Sequence, residues 1–299
     1  MDDTGKKSRI IPWLLVILPL WLFVSAGLAL VKYFKDEKAD AAKEEQRFSR
    51  SVSAESIADD LRKTIEVIGE RNTGTPEKLS AMASMIAGSL GPSNTGYEVK
   101  TIEGPAGFPI LRVSVASENR EAAPVWILTS YDSPPGSPGA EKNATGLAAT
   151  MATAQALADS KPSHPIHFLF LPHANEADAP IVETALAVSA LIKEAPAPKA
   201  ILCVEAMGDA ETIILSSRDT TAIPATEFAG LGKVLGADVT CLGDDFDLAS
   251  TLFEMDLPAI RIATRPTLLP DEKDDKIPFA PTVAASAGRL VELIQRLAR

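Results

Sequence analysis

The first pattern along the chain is an uninterrupted apolar run. Residues 10–31 carry no charge, and a helix of that length, at ~1.5 Å per residue, crosses a hydrocarbon core of roughly 30 Å. Trp13 and Trp21 suit a lipid environment. Pro12 lies near the end of the run; Pro19 lies inside it, where a kink is tolerated if the freed carbonyl finds a partner. The competing reading is a cleaved signal peptide, whose apolar region is usually only ~7–15 residues and ends at small residues. Ser25, Ala26 and Gly27 are small, but further apolar residues follow, so length favours an uncleaved anchor. Residues 32–50 hold six basic and five acidic residues with neither Gly nor Pro. That composition fits a solvated helical stalk or a disordered linker.

From residue 53 the pattern becomes globular. Ile57, Leu61, Ile65 and Ile68 recur at helical spacing within residues 55–70. Residues 71–76 read as a turn, with Thr75 placed to cap a helix whose first residue is Pro76. That helix runs to Leu90 and stops at Gly91-Pro92. Short apolar runs then alternate with amphipathic ones. The spacing predicts strands over 97–102, 110–116, 125–129, 166–171, 200–204, 212–215, 239–242 and 259–263. Helices are expected over 145–158, 181–194, 226–235, 248–255 and 283–297. This alternation predicts an α/β three-layer sandwich with a mainly parallel, mixed central sheet, preceded by one transmembrane helix. The expected organisation is a tail (1–9), the span (10–31), a charged stalk or linker (32–52) and one domain (53–299). Sites in such folds form at the carboxyl ends of the strands, which directs attention to the loops after Thr129, Leu171, Val204 and Ala263.

Composition narrows the function classes. The net charge is −11, and no basic stretch is interleaved with aromatics, so nothing points to nucleic-acid binding. Cys203 and Cys241 sit in strand-like runs and read as buried thiols; one disulfide stays open if the domain is exported. Lys6, Lys7 and Arg9 precede the span, while Lys32, Lys35 and Lys38 follow it, so charge alone nearly ties on orientation.

The strand-end loops carry the chemistry. Ser130-Tyr131-Asp132-Ser133 is followed by a proline-glycine loop and by Gly139-Ala140-Glu141-Lys142-Asn143-Ala144-Thr145-Gly146 opening a helix. Pro172-His173-Ala174-Asn175-Glu176 and Glu205-Ala206-Met207-Gly208-Asp209 end the next two strands in turn. This order resembles the M28 family of zinc aminopeptidases and related carboxypeptidases. Their pattern is His-x-Asp-Ser, Gly-Ala-x-Asp-Asn-x-x-Gly, Glu-Glu, Asp-x-x-Gly and a late His. Residues 71–76 resemble the family's early Arg-x-x-Gly-Thr-Pro stretch.

The resemblance implies a two-zinc site, and the departures fall on its ligands. Tyr131 stands at the first His position, Lys142 at the bridging Asp, Asn175 at the general base and Glu205 at a ligand Asp; Glu176 retains the neighbouring ligand Glu. No His lies between Ile262 and Lys276, where the late one belongs. Tyrosine is a poor zinc ligand near neutral pH. An ammonium where a carboxylate should bridge two dications replaces attraction with repulsion, although Lys142 has Glu176 and Glu205 as possible partners. An amide cannot take a proton from water as a carboxylate does. The three histidines, His164, His167 and His173, cluster around one strand and do not converge from separate strand ends. Ser133 reads as turn chemistry, Asp244, Asp245 and Asp247 as acidic residues ahead of a helix, and residues 271–276 as a solvated loop.

The expected protein is therefore a membrane-anchored M28 peptidase-like chain, catalytically inactive, acting as a binding or scaffold component. Its degenerate cleft would be lined by Tyr131, Asp132, Lys142, Asn175, Glu176 and Glu205, with no metal and no cofactor. The expected partners are the membrane, through one helix, and a peptide or protein, with no nucleic acid. The family's frequent action outside the cytoplasm tips the domain toward export. Against this stands an active M28-type metallo-aminopeptidase, or other hydrolase, with an altered zinc site. An unrelated α/β domain is a further alternative.

Overall fold

The computed structural model describes residues 21, 25–27, 32, 52–175, 181–234, 248–265 and 274–299. The chain divides into two units, residues 1–47 and 48–299. In the first, Trp21, residues 25–27 and Lys32 are helical; the expected span and stalk otherwise lie outside the described residues. No helix among the described residues is long and apolar enough to cross a membrane.

The second unit is organised around eight strands: β1 (Lys100–Ile102), β2 (Ile110–Val115), β3 (Val125–Ser130), β4 (Ile166–Leu171), β5 (Ala200–Val204), β6 (Ile213–Ser216), β7 (Gly232–Val234) and β8 (Ile260–Ala263). They form one sheet in the order β1-β2-β4-β3-β5-β8-β6-β7. The central run β4, β3, β5, β8 is parallel, and antiparallel pairs join β1 to β2, β2 to β4 and β6 to β8. Every residue of β3 is buried, as expected for a parallel strand covered on both faces.

The helices are α1 (Ala54–Arg62), α2 (Pro76–Ser89), α3 (Pro92–Thr95), α4 (Thr145–Ala156), α5 (Ile181–Lys193), α6 (Ala225–Phe228), α7 (Leu248–Phe253) and α8 (Ala280–Leu297). α4 packs against α1 and α8, while α5 packs against α7. The alternation along β3 sorts these into two layers: Val125 and Ile127 join the core with Ile57, Ala149 and Leu290, whereas Trp126 and Leu128 join that with Val188 and Leu252. All but one residue of α4 are buried, and its small alanines let three helices approach closely.

Three local expectations are corrected. Thr75 precedes α2, but its hydroxyl makes no cap; it donates to Glu70 O and accepts from Asn72 N, closing the preceding turn. The helix expected over 226–235 stops at Phe228, because Gly230 takes a left-handed φ of 78° and the chain then pairs as β7 with β6. A side chain at Gly232 would overlap the Ile213 carbonyl, so the glycine permits that pairing. The strand expected over 97–102 begins only at Lys100. The strand expected over 239–242, with Cys241, lies outside the described residues; Cys203 is buried.

Candidate functional site

Parallel registration brings the expected loops together. Ser130 pairs with Leu171 and Leu128 with Cys203, so β3, β4 and β5 end at neighbouring points. The helix start is drawn onto the same edge. Gly139 is left-handed, a π turn follows over Ala140–Ala144, and Gly146 lies against the Glu205 carbonyl so closely that a Cβ would overlap it.

A buried polar network sews these ends together. The Arg71 guanidinium is fully buried and donates from Nε to Tyr131 O (2.7 Å), from Nη1 to Gly69 O (3.1 Å) and Pro138 O (2.6 Å), and from Nη2 to Asn143 Oδ1. Asn143 Nδ2 donates to both the carbonyl and the hydroxyl of Ser130. Burial lowers the Arg71 pKa to about 10, against the pull of Asp132 and Asp274, which leaves it charged at neutral pH. Ser133 accepts from Arg71 N and donates to Ser137 O, the structural role expected of it.

The expected cleft residues are placed as follows. Tyr131 is buried and its hydroxyl donates to Pro109 O at 2.6 Å; burial, then the Asp132 charge, raise its pKa above the usual phenol value. Asp132 is fully buried and accepts from Ala174 N (2.9 Å), Asn175 N (2.8 Å) and Asn175 Nδ2 (3.1 Å). Desolvation raises its pKa, opposed by those hydrogen bonds and by His173. Asn175 Nδ2 also donates to Ser130 Oγ at 2.6 Å. Glu205 forms an ion pair with Arg261, a residue that is itself buried; Arg261 was not singled out in the sequence. Lys142 stands on the π turn and Glu176 lies outside the described residues.

Of the solvated loop expected over 271–276, residues 271–273 lie outside the described residues and Asp275 and Lys276 are exposed, but Asp274 is drawn into the site. Its carboxylate accepts from Glu141 N (2.5 Å) and Lys142 N (3.1 Å), and its carbonyl accepts from Ala140 N and Ser137 Oγ. A carboxylate thus caps the helix start, favoured by the helix dipole. One acid among several, 133 residues downstream of Glu141, carries no sequence signal for such a cap. Glu141 accepts from Gly208 N at 2.9 Å, and burial pushes its pKa up to about 7. Of the histidines, His164 and His167 lie at the start of β4, at the opposite end from the site, and His173 is buried just after its end, edge-on to Phe108 at 5.6 Å.

Residues 113–216, which include every one of these strand ends from β2 to β6, match the model of Peptidase family M28. Solved structures share the fold. The LapA aminopeptidase of Legionella pneumophila is 15% identical, with a TM-score of 0.63, over 86% of this chain and 74% of that one. A zinc aminopeptidase of Bacillus subtilis is 11% identical at a TM-score of 0.61, over 81% and 94%. A glutaminyl cyclase of Porphyromonas gingivalis is 15% identical at a TM-score of 0.59, over 82% and 98%. No protein of curated function matches the sequence. The chain carries an M28 peptidase-like domain of the zinc-aminopeptidase fold.

Of the described side chains at the positions that the resemblance assigns to metal, none is arranged for zinc: the Tyr131 hydroxyl is engaged by a carbonyl, Glu205 is paired with a guanidinium, and Lys142 brings a cation. At the position assigned to the general base, the Asn175 amide acts as a donor. Among the described residues, no three His, Cys, Asp or Glu side chains converge as metal ligands.

Proposed function

We propose that the chain is a membrane-anchored, M28 peptidase-like protein that holds a peptide or protein partner at the membrane without hydrolysing it, its domain lying outside the cytoplasm. The observation that carries this reading is the commitment of the ligand-position side chains to other bonds, above all the Glu205–Arg261 ion pair. Zinc capture by Glu205 would have to compete with that largely buried pair, and disturbing a buried ion pair is destabilising. Without a metal, nothing in the donor set lowers the pKa of an attacking water toward ~7, and Asn175 cannot serve as its base.

The test is metal analysis of the purified full-length chain after equilibration with zinc, alongside turnover of aminoacyl substrates. Substoichiometric zinc and turnover no faster than buffer are expected. Stoichiometric zinc, with aminopeptidase turnover that chelation abolishes, would overturn the reading in favour of an active hydrolase with an altered site.

A further inference from the structure

Away from the strand-end site, at the other end of the sheet, lies a second group of polar side chains that no part of the reading above uses. Ser114, His167 and Trp126 are register partners across β2, β4 and β3, so they form one row on one face. Ser114 Oγ lies 2.8 Å from His167 Nδ1, and the His167 ring packs against the Trp126 indole at 4.5 Å. Two residues along β2, on the same face, stands Arg112, paired directly opposite Lys100 of β1.

The electrostatics of this group are unbalanced. Like charges directly opposite in an antiparallel pair repel, and the chain as a whole carries a net charge of −11. Yet no carboxylate among the described residues forms an ion pair with Arg112 or Lys100. Arg112 Nε and Trp126 Nε1 are buried without acceptors among the described residues, and a buried donor left unsatisfied is costly. Burial, then the Arg112 charge, lowers the His167 pKa to about 4, so the imidazole does not supply a further cation at neutral pH. Ser114 is exposed and Arg112 partly so, which leaves the group open to solvent.

We propose that Lys100, Arg112 and Ser114, backed by His167, form a binding site for a small oxyanion, a phosphate or carboxylate group. An oxyanion set between the two cations converts their repulsion into attraction, and the Ser114 hydroxyl adds a donor in the tautomer whose Nδ1–H is given to Ser114 Oγ. His167 serves as the reporter, because a bound anion favours its protonated form.

The chain has three histidines, so the His167 imidazole can be followed by NMR in the full-length protein in neutral-lipid nanodiscs. Saturating inorganic phosphate should raise the His167 pKa by about one unit. Arg112→Gln should abolish the phosphate dependence, and Ser114→Ala should weaken it several-fold. Nanodiscs containing phosphatidylglycerol, without free phosphate, separate the two sources: a shift there alone assigns the oxyanion to a lipid headgroup. A His167 titration unmoved by both phosphate and the anionic lipid overturns the proposal. So does an equal shift in Arg112→Gln. Should that variant fail to fold, Lys100→Gln at the exposed position supplies the same comparison.

Discussion

Arg71 illustrates how one side chain holds several segments in place. Its four hydrogen bonds reach Gly69, Tyr131, Pro138 and Asn143, joining the turn before α2 to the end of β3 and to the start of the helix that becomes α4. Arg71→Met removes the donors and leaves these buried acceptors unsatisfied. It should lower unfolding stability by about 3–5 kcal/mol in urea titration, well beyond an ordinary surface substitution. Glu141 makes a different kind of contribution. Its folded pKa of about 7 lies above the ordinary glutamate value of 4.5, so the folded state holds the proton more tightly. The stability it adds is fully present below pH ~4.5 and is lost as pH rises through ~7. Glu141→Gln should therefore flatten the stability profile between pH 5 and 8 and, at pH 8, exceed the parent by about 1–3 kcal/mol. His167, lowered to about 4, acts in the opposite sense and loses stability as pH falls from about 6.5. The difference between parent and variant isolates Glu141, because His167 is common to both.

The meeting of strands and helix start depends on two close approaches that differ in rigidity. A Cβ at Gly146 would overlap the backbone carbonyl of Glu205, whereas at Gly208 it would meet side-chain atoms alone, the Glu141 carboxylate first and then the Thr145 methyl. Gly146→Ala should accordingly cost several kcal/mol and lower the Tm by about 5 °C or more, while Gly208→Ala costs less, since side chains yield more readily than backbone. Equal losses would show that the helix start is not wedged against β5. This element order was largely legible in the sequence. Buried parallel strands such as β3 and β4 are continuous apolar runs, and α4 stands out by its alanines. The strand-end motifs likewise located Tyr131, Asp132, Asn175 and Glu205 at one edge of the sheet. What the pattern did not carry was partnership across long separations. Arg261 reads as a charge inside a strand, and Asp274 as one acid among several, until the fold brings them to Glu205 and to the start of α4. The 226–235 segment misled because its helical periodicity continues past Gly230, where a left-handed φ redirects the chain.

Between residues 47 and 48 the chain passes from one unit to the other, and the first contains the apolar run. The sheet, both of its helical layers and the strand-end network draw their described residues from residue 52 onward. The fold should therefore survive without the N-terminal unit, and the proposed tether should be separable from it. A chain beginning at Phe48 should keep the urea midpoint of the parent domain but move from the membrane pellet to the soluble fraction. In intact cells, the full-length domain should be cleaved by externally added protease once any outer barrier is permeabilised, because the proposed export would place it on the far side of the membrane from the cytoplasm. The near tie in flanking charge makes this orientation sensitive: adding two or three lysines after residue 32 should retain the domain on the cytoplasmic side and protect it. Protection of the unaltered chain would reverse the proposed topology, and recovery of that chain in the soluble fraction would overturn the proposed anchor.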